Sequence, residues 1–192
     1  MPPLTAIYDA CVLYPAPLRD LLLRLALTDL FHARWTADIH DEWMRQVLAN
    51  RPDLTHAQFL RTRQLMDAHV RDCLVEGYHA LIPQLHLPDP KDRHVLAAAI
   101  RAQASVIVTF NIRDFPPEVL APYGVEVQPP DAFIMQWLEV APAQVCVAAE
   151  EQRRSLRNPP KSIDEFLAIL LRQQLPATVA RLRAVCYGTG RV

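Results

Sequence analysis

Short apolar runs alternate along the first part of the chain with longer segments in which apolar residues recur every three or four positions. The runs at residues 4–8 and 106–109 are typical of buried parallel strands, and residues 125–127 and 34–36 are weaker strand candidates. The longer segments have the period of amphipathic helices. Helices that separate short buried strands require crossover connections, so the pattern predicts an α/β fold with a parallel sheet.

Capping residues and prolines mark where the predicted helices begin. Leucines at helical spacing predict a first helix over about residues 18–25. Thr36 is the expected cap of a second helix, and Thr55 with Gln58 forms a capping box for a third. A fourth helix is expected to begin near Pro90.

The pattern becomes helical throughout after residue 130. Predicted helices span about residues 131–139, 142–158, 163–174 and 177–187, and Ser162 with Glu165 forms a capping box for the third of these. About fifty residues of helix bury too little for a core of their own, so this extension is expected to pack on the first domain or on a partner. The predicted division is one domain over residues 1–138 and an all-helical extension over residues 139–192.

Composition narrows the class of protein. The 192 residues suffice for one domain with an appendage, and a formal net charge of −1 excludes a general attraction to nucleic acid. A polyanionic partner would therefore need a local basic patch or a bridging metal ion. The segment at residues 153–161 is basic; it is expected to be a solvated helix end, with an RNA or antitoxin contact as the alternative.

Cysteine spacing and the N-terminal sequence bear on the cell compartment. The four cysteines lie far apart without a CxxC pair, which predicts reduced, buried thiols and neither a disulfide framework nor a zinc site. The chain shows no signal-peptide pattern and no apolar run of about eighteen residues. The expectation is a cytoplasmic protein without a membrane span.

Acidic residues stand where the predicted strands end or the predicted helices begin. Asp9 and Asp114 follow strands, whereas Glu42 lies early in the second predicted helix and Asp92 lies at the head of the fourth. These positions favour one rim of the sheet, the edge at which α/β proteins bind ligands. Carboxylates within about 6 Å of one another repel by roughly 3 kcal/mol per pair, and a divalent cation would remove that cost. Oxygen ligands favour Mg²⁺ or Mn²⁺ over zinc.

Each acid also has a structural explanation. Asp9 could cap the turn after its strand, Glu42 could pair with Arg45, and Asp114 could brace the turn before Pro116. The motifs HExxH, GxSxG, GxxxxGK[ST] and GxGxxG are absent from the chain, so the zinc-protease, esterase and nucleotide-loop chemistries that they mark have no support.

The stretch LPDPKDRHVLAAAI, residues 87–100, contains one acid with a structural role and one acid that is expected to bind a metal ion. Asp89 is a suitable N-cap ahead of Pro90, and one helix start needs only one acid. Asp92 is therefore the acid expected to face a metal, although Asp89 could share the ion. His94 is expected to make a polar contact or to lie in the core, not to act as a ligand.

Four segments in order and spacing resemble the PIN domain of VapC-type toxins, and the resemblance covers about residues 4–138. The segments are AIYDACVLYP with Asp9, WTADIHDEW with Glu42, LPDPKDRHVLAAAI with Asp92, and VIVTFNIRDF with Thr109, Asn111 and Asp114. The resemblance implies a three-layer α/β/α sandwich with a short central parallel sheet. It also implies a Mg²⁺- or Mn²⁺-dependent ribonuclease, commonly paired with an antitoxin protein that blocks the site.

The resemblance assigns roles to individual residues. It implies that Asp9, Glu42, Asp92 and Asp114 are catalytic, and that all of these except Glu42 hold the metal ion. Many relatives carry an acid where Asn111 stands, so either Asn111 or Asp114 is nearest the metal. Supporting roles fall to Asp89 as an additional acid and to Thr109, whose hydroxyl is expected to orient the carboxylate of its own segment.

The expected function is hydrolysis of RNA phosphodiester bonds by the toxin of a toxin–antitoxin pair. Two alternatives stay open: a catalytically silent PIN-fold module that acts through a protein partner, and a nuclease that acts on DNA. A phosphoacceptor receiver domain is disfavoured because no lysine occupies the corresponding late strand region. Helix faces at residues 18–25 and 59–74 would suit a homodimer.

Overall fold

The computed structural model describes residues 4–188. The strands in that range are β1 (Thr5–Tyr8), β2 (His32–Arg34), β3 (Val106–Val108) and β4 (Glu126–Gln128). The α-helices are α1 (Ala10–Leu13), α2 (Ala16–Ala26), α3 (Ala37–Asn50), α4 (His56–His69), α5 (Arg93–Arg101), α6 (Pro117–Leu120), α7 (Pro130–Val140), α8 (Pro142–Ser155), α9 (Ile163–Leu171) and α10 (Pro176–Val185). Short 3₁₀ helices lie at His79–Gln84, Pro90–Asp92, Ile112–Asp114 and Ala121–Tyr123.

The strands form one parallel sheet in the order β2-β1-β3-β4. All of β3 and the last three residues of β1 are buried. Because successive side chains of a strand point to opposite faces, both faces of the sheet centre are covered. The predicted α/β sandwich with a short parallel sheet and a helical C-terminal part is thereby confirmed.

The strand order creates a crevice at the centre of the sheet. From β1 the chain passes to β2 on one side and then crosses to β3 on the other. Such a switch point separates the loops that follow the two central strands, and ligands of open α/β sheets bind there. Tyr8 pairs in register with Val108, so Asp9 and Thr109, which follow them, are neighbours at this crevice.

Local side-chain chemistry explains several boundaries. Thr36 Oγ1 accepts a hydrogen bond from Ile39 N–H at the start of α3, and the predicted capping box of Thr55 and Gln58 opens α4. The predicted strand at residues 34–36 lies two positions too late, since β2 is His32–Arg34. Thr36 cannot continue the strand because its side chain caps α3.

The described chain divides into two compact units. One runs from the start of the described range to Tyr14 and over Phe31–Pro129, and it holds the sheet with α1, α3, α4, α5 and α6. The other consists of Pro15–Leu30 and the chain from Pro130 onward, and it holds α2 and α7 to α10. The sequence analysis predicted a domain boundary after residue 138. That boundary stays a prediction.

The second unit is a helical assembly. In it α2 packs against α8 and α9, and α7 packs against α8 and α10. Asp131 of α7 accepts hydrogen bonds from Ala177 N–H at 3.0 Å and Thr178 N–H at 2.8 Å, which caps the first turn of α10. The capping box of Ser162 and Glu165 opens α9 as predicted. The C-terminal helices therefore pack against one another and against α2, which comes from the N-terminal part of the chain.

The basic segment at residues 153–161 carries acidic partners. Arg153 and Arg154 both contact Glu150, at 2.7 and 2.8 Å, and Lys161 Nζ lies 3.6 Å from Glu165 Oε1. These pairs offset much of the positive charge of the segment. They agree with the interpretation of a solvated helix end.

A disulfide joins Cys146 in α8 to Cys186 just after α10, with the two Cα atoms 5.4 Å apart. The prediction of reduced thiols is therefore wrong for this pair. The two cysteines are 40 positions apart in the sequence, and only the packing of α10 brings them together. Cys11 and Cys73 are free thiols.

Across residues 4–188, no helix is both long enough and apolar enough to cross a membrane.

Candidate active site

Asp9 is held at the carboxyl end of β1 by several donors. It is only 3 % exposed. Ala10 N–H donates to Oδ1 at 2.7 Å, the Thr109 hydroxyl donates to Oδ2 at 2.6 Å, and the Cys11 thiol lies 3.2 Å from Oδ2. Burial raises the pKa of Asp9, and the hydrogen bonds from Thr109 and Cys11 oppose that rise. The carboxylate is thus fixed in one orientation.

Cys11 is a site residue that the sequence analysis missed. Its Sγ lies 3.2 Å from Thr109 Oγ1 and accepts a hydrogen bond from Phe110 N–H at 3.2 Å. Burial, followed by the charge of Asp9, raises the pKa of Cys11 to about 12, so the group is a neutral thiol and not a nucleophile. Its position in the turn directly after Asp9 was the one available signal.

Thr109 links the two central strand ends. It is fully buried, and its Oγ1 also accepts a hydrogen bond from Asn111 N–H at 2.9 Å. The hydroxyl therefore orients Asp9, not the carboxylate of its own segment as the resemblance implied. Asn111 contributes its backbone N–H, while the residue as a whole is exposed.

The predicted acids meet around Asp92. The pKa of Asp92 is raised to about 7, first because the carboxyl is half-buried and then because four neighbouring carboxylates repel its charge. Those four belong to Asp9, Asp89, Asp114 and Glu42. Charge repulsion weakens with distance, so these side chains share one region of the first unit.

The segment before α5 separates the roles of its two acids. Asp89 Oδ1 accepts a hydrogen bond from Lys91 N–H at 2.8 Å and caps the 3₁₀ turn Pro90–Asp92. Asp92 makes no side-chain capping bond to α5, which begins at Arg93. Behind it, Val95 to Ala99 are all fully buried, so α5 cannot rotate without disrupting the core.

Glu42 reaches the same region from the second turn of α3. Its Oε2 lies 3.4 Å from His94 Nε2, and its Oε1 accepts a hydrogen bond from Gln46 Nε2 at 3.1 Å. These contacts replace the Arg45 pair that the sequence offered as a structural explanation. Burial lowers the pKa of His94, but the hydrogen bond and charge of Glu42, together with the charges of Asp38 and Asp9, outweigh it, so the pKa is raised overall. His94 is the predicted polar contact.

The acids around Asp92 are not arranged as a complete metal-binding site. Among residues 4–188, no group of three or more His, Cys, Asp or Glu side chains is arranged so that it could hold a metal ion. What the fold brings together is a concentration of negative charge around Asp92, with Asp9 fixed beside it. The assignment of Asp9, Asp92 and Asp114 as metal ligands stays a prediction.

The chain is similar to known protein families over both its N-terminal and its C-terminal part. A family model described as VapC50 C-terminal domain matches residues 130–184. A stretch of 64 residues is 45% identical to the "Putative ribonuclease VapC50" of Mycobacterium tuberculosis (strain ATCC 25618 / H37Rv). The matched stretch covers 33% of this chain and 37% of the length of that relative. No solved structure matches the chain.

A further family model, described as PIN domain, matches residues 5–113. That match takes in Asp9, Glu42 and Asp92 and ends one residue before Asp114. It covers more than half of the chain and most of the unit in which the acids converge. The chain therefore belongs to the PIN-domain family, and its C-terminal helices match the domain found at the end of VapC50.

Proposed function

We propose that this protein is a metal-dependent endoribonuclease that hydrolyses RNA phosphodiester bonds, and that it is the toxin of a toxin–antitoxin pair. One observation carries the proposal: the charge of Asp92 is opposed by four other carboxylates, and one of them, Asp9, is fixed at the switch point of a parallel sheet. So much like charge is costly in a fold unless a cation offsets it. The name of the relative, a ribonuclease, supports RNA as the substrate.

Mg²⁺ or Mn²⁺ fits the donor set, because carboxylate oxygens are hard ligands. Asp9, Asp92 and Asp114 would hold the ion, with Asp89 as an additional acid. Asp9 is already oriented by Thr109 and Cys11. When bound, the ion lowers the pKa of a water molecule and offsets the charge that develops on the phosphate.

Glu42 is the residue proposed to take the proton of the attacking water. Its Oε2 lies 3.4 Å from His94 Nε2, which restricts the carboxylate to one direction. The water oxygen bonds to phosphorus while the bond from phosphorus to O3′ breaks, and O3′ then takes up a proton from solvent water. The products have 5′-phosphate and 3′-hydroxyl ends.

Cleavage of a mixed RNA pool tests the enzyme proposal. The purified full-length chain is expected to cleave RNA with Mg²⁺ and not with EDTA, and Asp92→Asn is expected to abolish cleavage. Asp72→Asn is the matched control, because Asp72 is an exposed acid at a positive φ of 53°, a conformation that asparagine tolerates. Equal cleavage in EDTA would refute metal dependence, and preferential cleavage of a matched DNA oligonucleotide would transfer the proposal to DNA.

Induced expression tests the toxin proposal. The wild type is expected to arrest growth, Asp9→Ala is expected not to, and a neighbouring reading frame that encodes the antitoxin is expected to relieve the arrest. If Asp9→Ala arrests growth as strongly as the wild type, the acids are not the source of toxicity. The protein would then act as a binding module through a protein partner.

A further inference from the structure

Two aromatic rings beside the acidic site are held by one carboxylate oxygen. The Tyr78 hydroxyl donates to Asp38 Oδ2 at 2.6 Å, and His79 Nε2 lies 3.2 Å from the same oxygen. A carboxylate oxygen only accepts hydrogen bonds, so His79 Nε2 carries a hydrogen and donates it. Asp38 thereby fixes the orientation of both rings.

The two rings are stacked, and one face of the upper ring is open. Their centroids are 4.2 Å apart with an interplanar angle of 25°. Tyr78 is 2 % exposed, whereas the His79 side chain is 67 % exposed. Tyr78 therefore forms a buried floor under His79, which presents a flat π surface to solvent in a fixed direction.

The ring pair lies close to the acids. Asp38 and Glu42 both belong to α3 and are four residues apart, so they share a helix face with their Cβ atoms about 6 Å from each other. Glu42 in turn contacts His94, two residues from Asp92. The charges of Asp38, Glu42 and Asp9 all act on His94, so the ring pair and the acids lie in the same region of the first unit.

Charge gives a reason for a stacking contact at this place. The acids repel phosphates, and the chain as a whole carries a formal net charge of −1. Affinity for a single strand must then come partly from its bases. Unpaired bases stack on aromatic side chains, histidine included, with little regard for their identity.

We propose that the open face of His79, supported by Tyr78 and fixed by Asp38, is a stacking site for one base of a single-stranded RNA. The inference rests on the proposed function, because it takes RNA as the substrate. It adds a contact that binds one base of the strand. His79 is a substrate-binding residue in this proposal and takes no part in proton transfer.

Fluorescence anisotropy with a labelled single-stranded RNA tests the contact. The full-length chain carries Asp92→Asn in every variant, so that cleavage does not interfere. His79→Ala is expected to raise the Kd about tenfold, within the range measured for loss of one stacked base. His79→Trp keeps a flat ring and is expected to bind within about twofold of the parent. His56→Ala is the matched control, since His56 is an exposed histidine at the first residue of α4.

An abasic scan of the RNA identifies the stacked base. In the parent, one abasic position is expected to raise the Kd about tenfold, and His79→Ala is expected to be insensitive to that same position. Parental affinity in His79→Ala, or an abasic penalty that persists in it, overturns the proposal. Thermal unfolding of each variant confirms that the exposed substitution leaves the fold intact.

Cleavage by the chain with wild-type Asp92 separates this inference from the proposed function. If RNA binds through His79 but is not cleaved with Mg²⁺, the nuclease proposal fails and the stacking site stands. If RNA is cleaved but His79→Ala binds like the parent, the stacking site alone fails. If the parent does not bind RNA, the stacking site is overturned, and if the wild-type chain also leaves RNA uncleaved with Mg²⁺, both proposals are overturned.

Discussion

Thr109 and Asp9 stand 100 residues apart in the sequence, and a 2.6 Å hydrogen bond runs from the Thr109 hydroxyl to Oδ2 of Asp9. The bond joins the carboxyl ends of β1 and β3 at the centre of the sheet. A buried carboxylate is costly unless donors surround it, and here the hydroxyl, a thiol and a backbone N–H do so. The pair therefore serves both the stability of the fold and the orientation of the acid.

Thr109→Val removes the hydroxyl and keeps the shape of the side chain. The pKa of Asp9 should then rise further, because the bond from Thr109 opposes the effect of burial. We expect a loss of about 1–3 kcal/mol in the free energy of unfolding at pH 8 and a large loss of RNA cleavage. Thr109→Ser should retain most of both. Urea unfolding measures the stability, and a Thr109→Val variant as stable as the wild type would contradict the argument.

Asp92→Asn should stabilise the protein in the absence of metal ions. The substitution removes one charge from a group of mutually repelling carboxylates. We expect a gain of about 1–2 kcal/mol in EDTA, less than the full pKa shift implies because Asp92 is only half-buried.

The same variant should lose its response to Mg²⁺. An ion at one hundred times its Kd stabilises the wild type by about 2.7 kcal/mol, and the variant lacks a proposed ligand. Thermal unfolding with and without Mg²⁺ measures both effects. Glu118→Gln, at an exposed acid of α6, is the control. A variant less stable than the wild type in EDTA would refute the electrostatic account.

His40 lies in a buried chain of hydrogen bonds in the first unit. Trp43 Nε1–H donates to His40 Nδ1 at 3.0 Å, and His40 Nε2 contacts Asp67 Oδ1 at 2.9 Å. Trp35 Nε1–H donates to the same Asp67 oxygen at 2.9 Å. The indole can only donate, so Nδ1 must be unprotonated and Nε2 carries the hydrogen. The neutral imidazole is the form that satisfies every contact.

Acid should therefore destabilise the protein through His40. Burial lowers the pKa of His40; Asp67 and Asp41 oppose this, and Arg63 adds to it. The unfolded chain protonates this histidine below about pH 6.5 while the folded chain resists, so the free energy of unfolding falls as pH decreases from there.

His40→Gln isolates this effect, because other groups titrate equally in both proteins. The variant should be less stable than the wild type at pH 8, and the gap should shrink towards pH 5. Urea unfolding across that range measures the gap. A gap that stays constant with pH would exclude His40 as its source.

The disulfide should stabilise the second unit. It closes a loop across a sequence separation of 40 residues, for which chain-entropy arguments give roughly 4 kcal/mol. The double variant Cys146→Ala, Cys186→Ala, or reduction of the wild type, should lower the unfolding temperature of this unit. Thiol titration in denaturant should count two free thiols before reduction, Cys11 and Cys73. All four cysteines titrating without reductant would contradict the disulfide.

Features that depend on neighbouring residues could be read from the sequence. Thr36 caps α3, and the capping boxes of Thr55 and Ser162 open α4 and α9, because a cap and its backbone partner lie within three residues. The apolar runs at β1 and β3 also predicted these two strands, because a strand that is buried on both faces is apolar along its length. The weaker strand was shifted by two residues because two local signals competed at Thr36.

The sequence by itself determined the main strands and helices, the α/β class and which acids stand near strand ends and helix starts, since periodicity, capping and residue type are local properties. Only the tertiary structure decided how Asp9 is bound, which acids surround Asp92, and that Cys146 pairs with Cys186. Each of these relationships joins residues that are distant in sequence. The physical reason is that hydrogen bonds, charge repulsion and disulfides act over a few ångströms in space, and the strand order and helix packing set those distances.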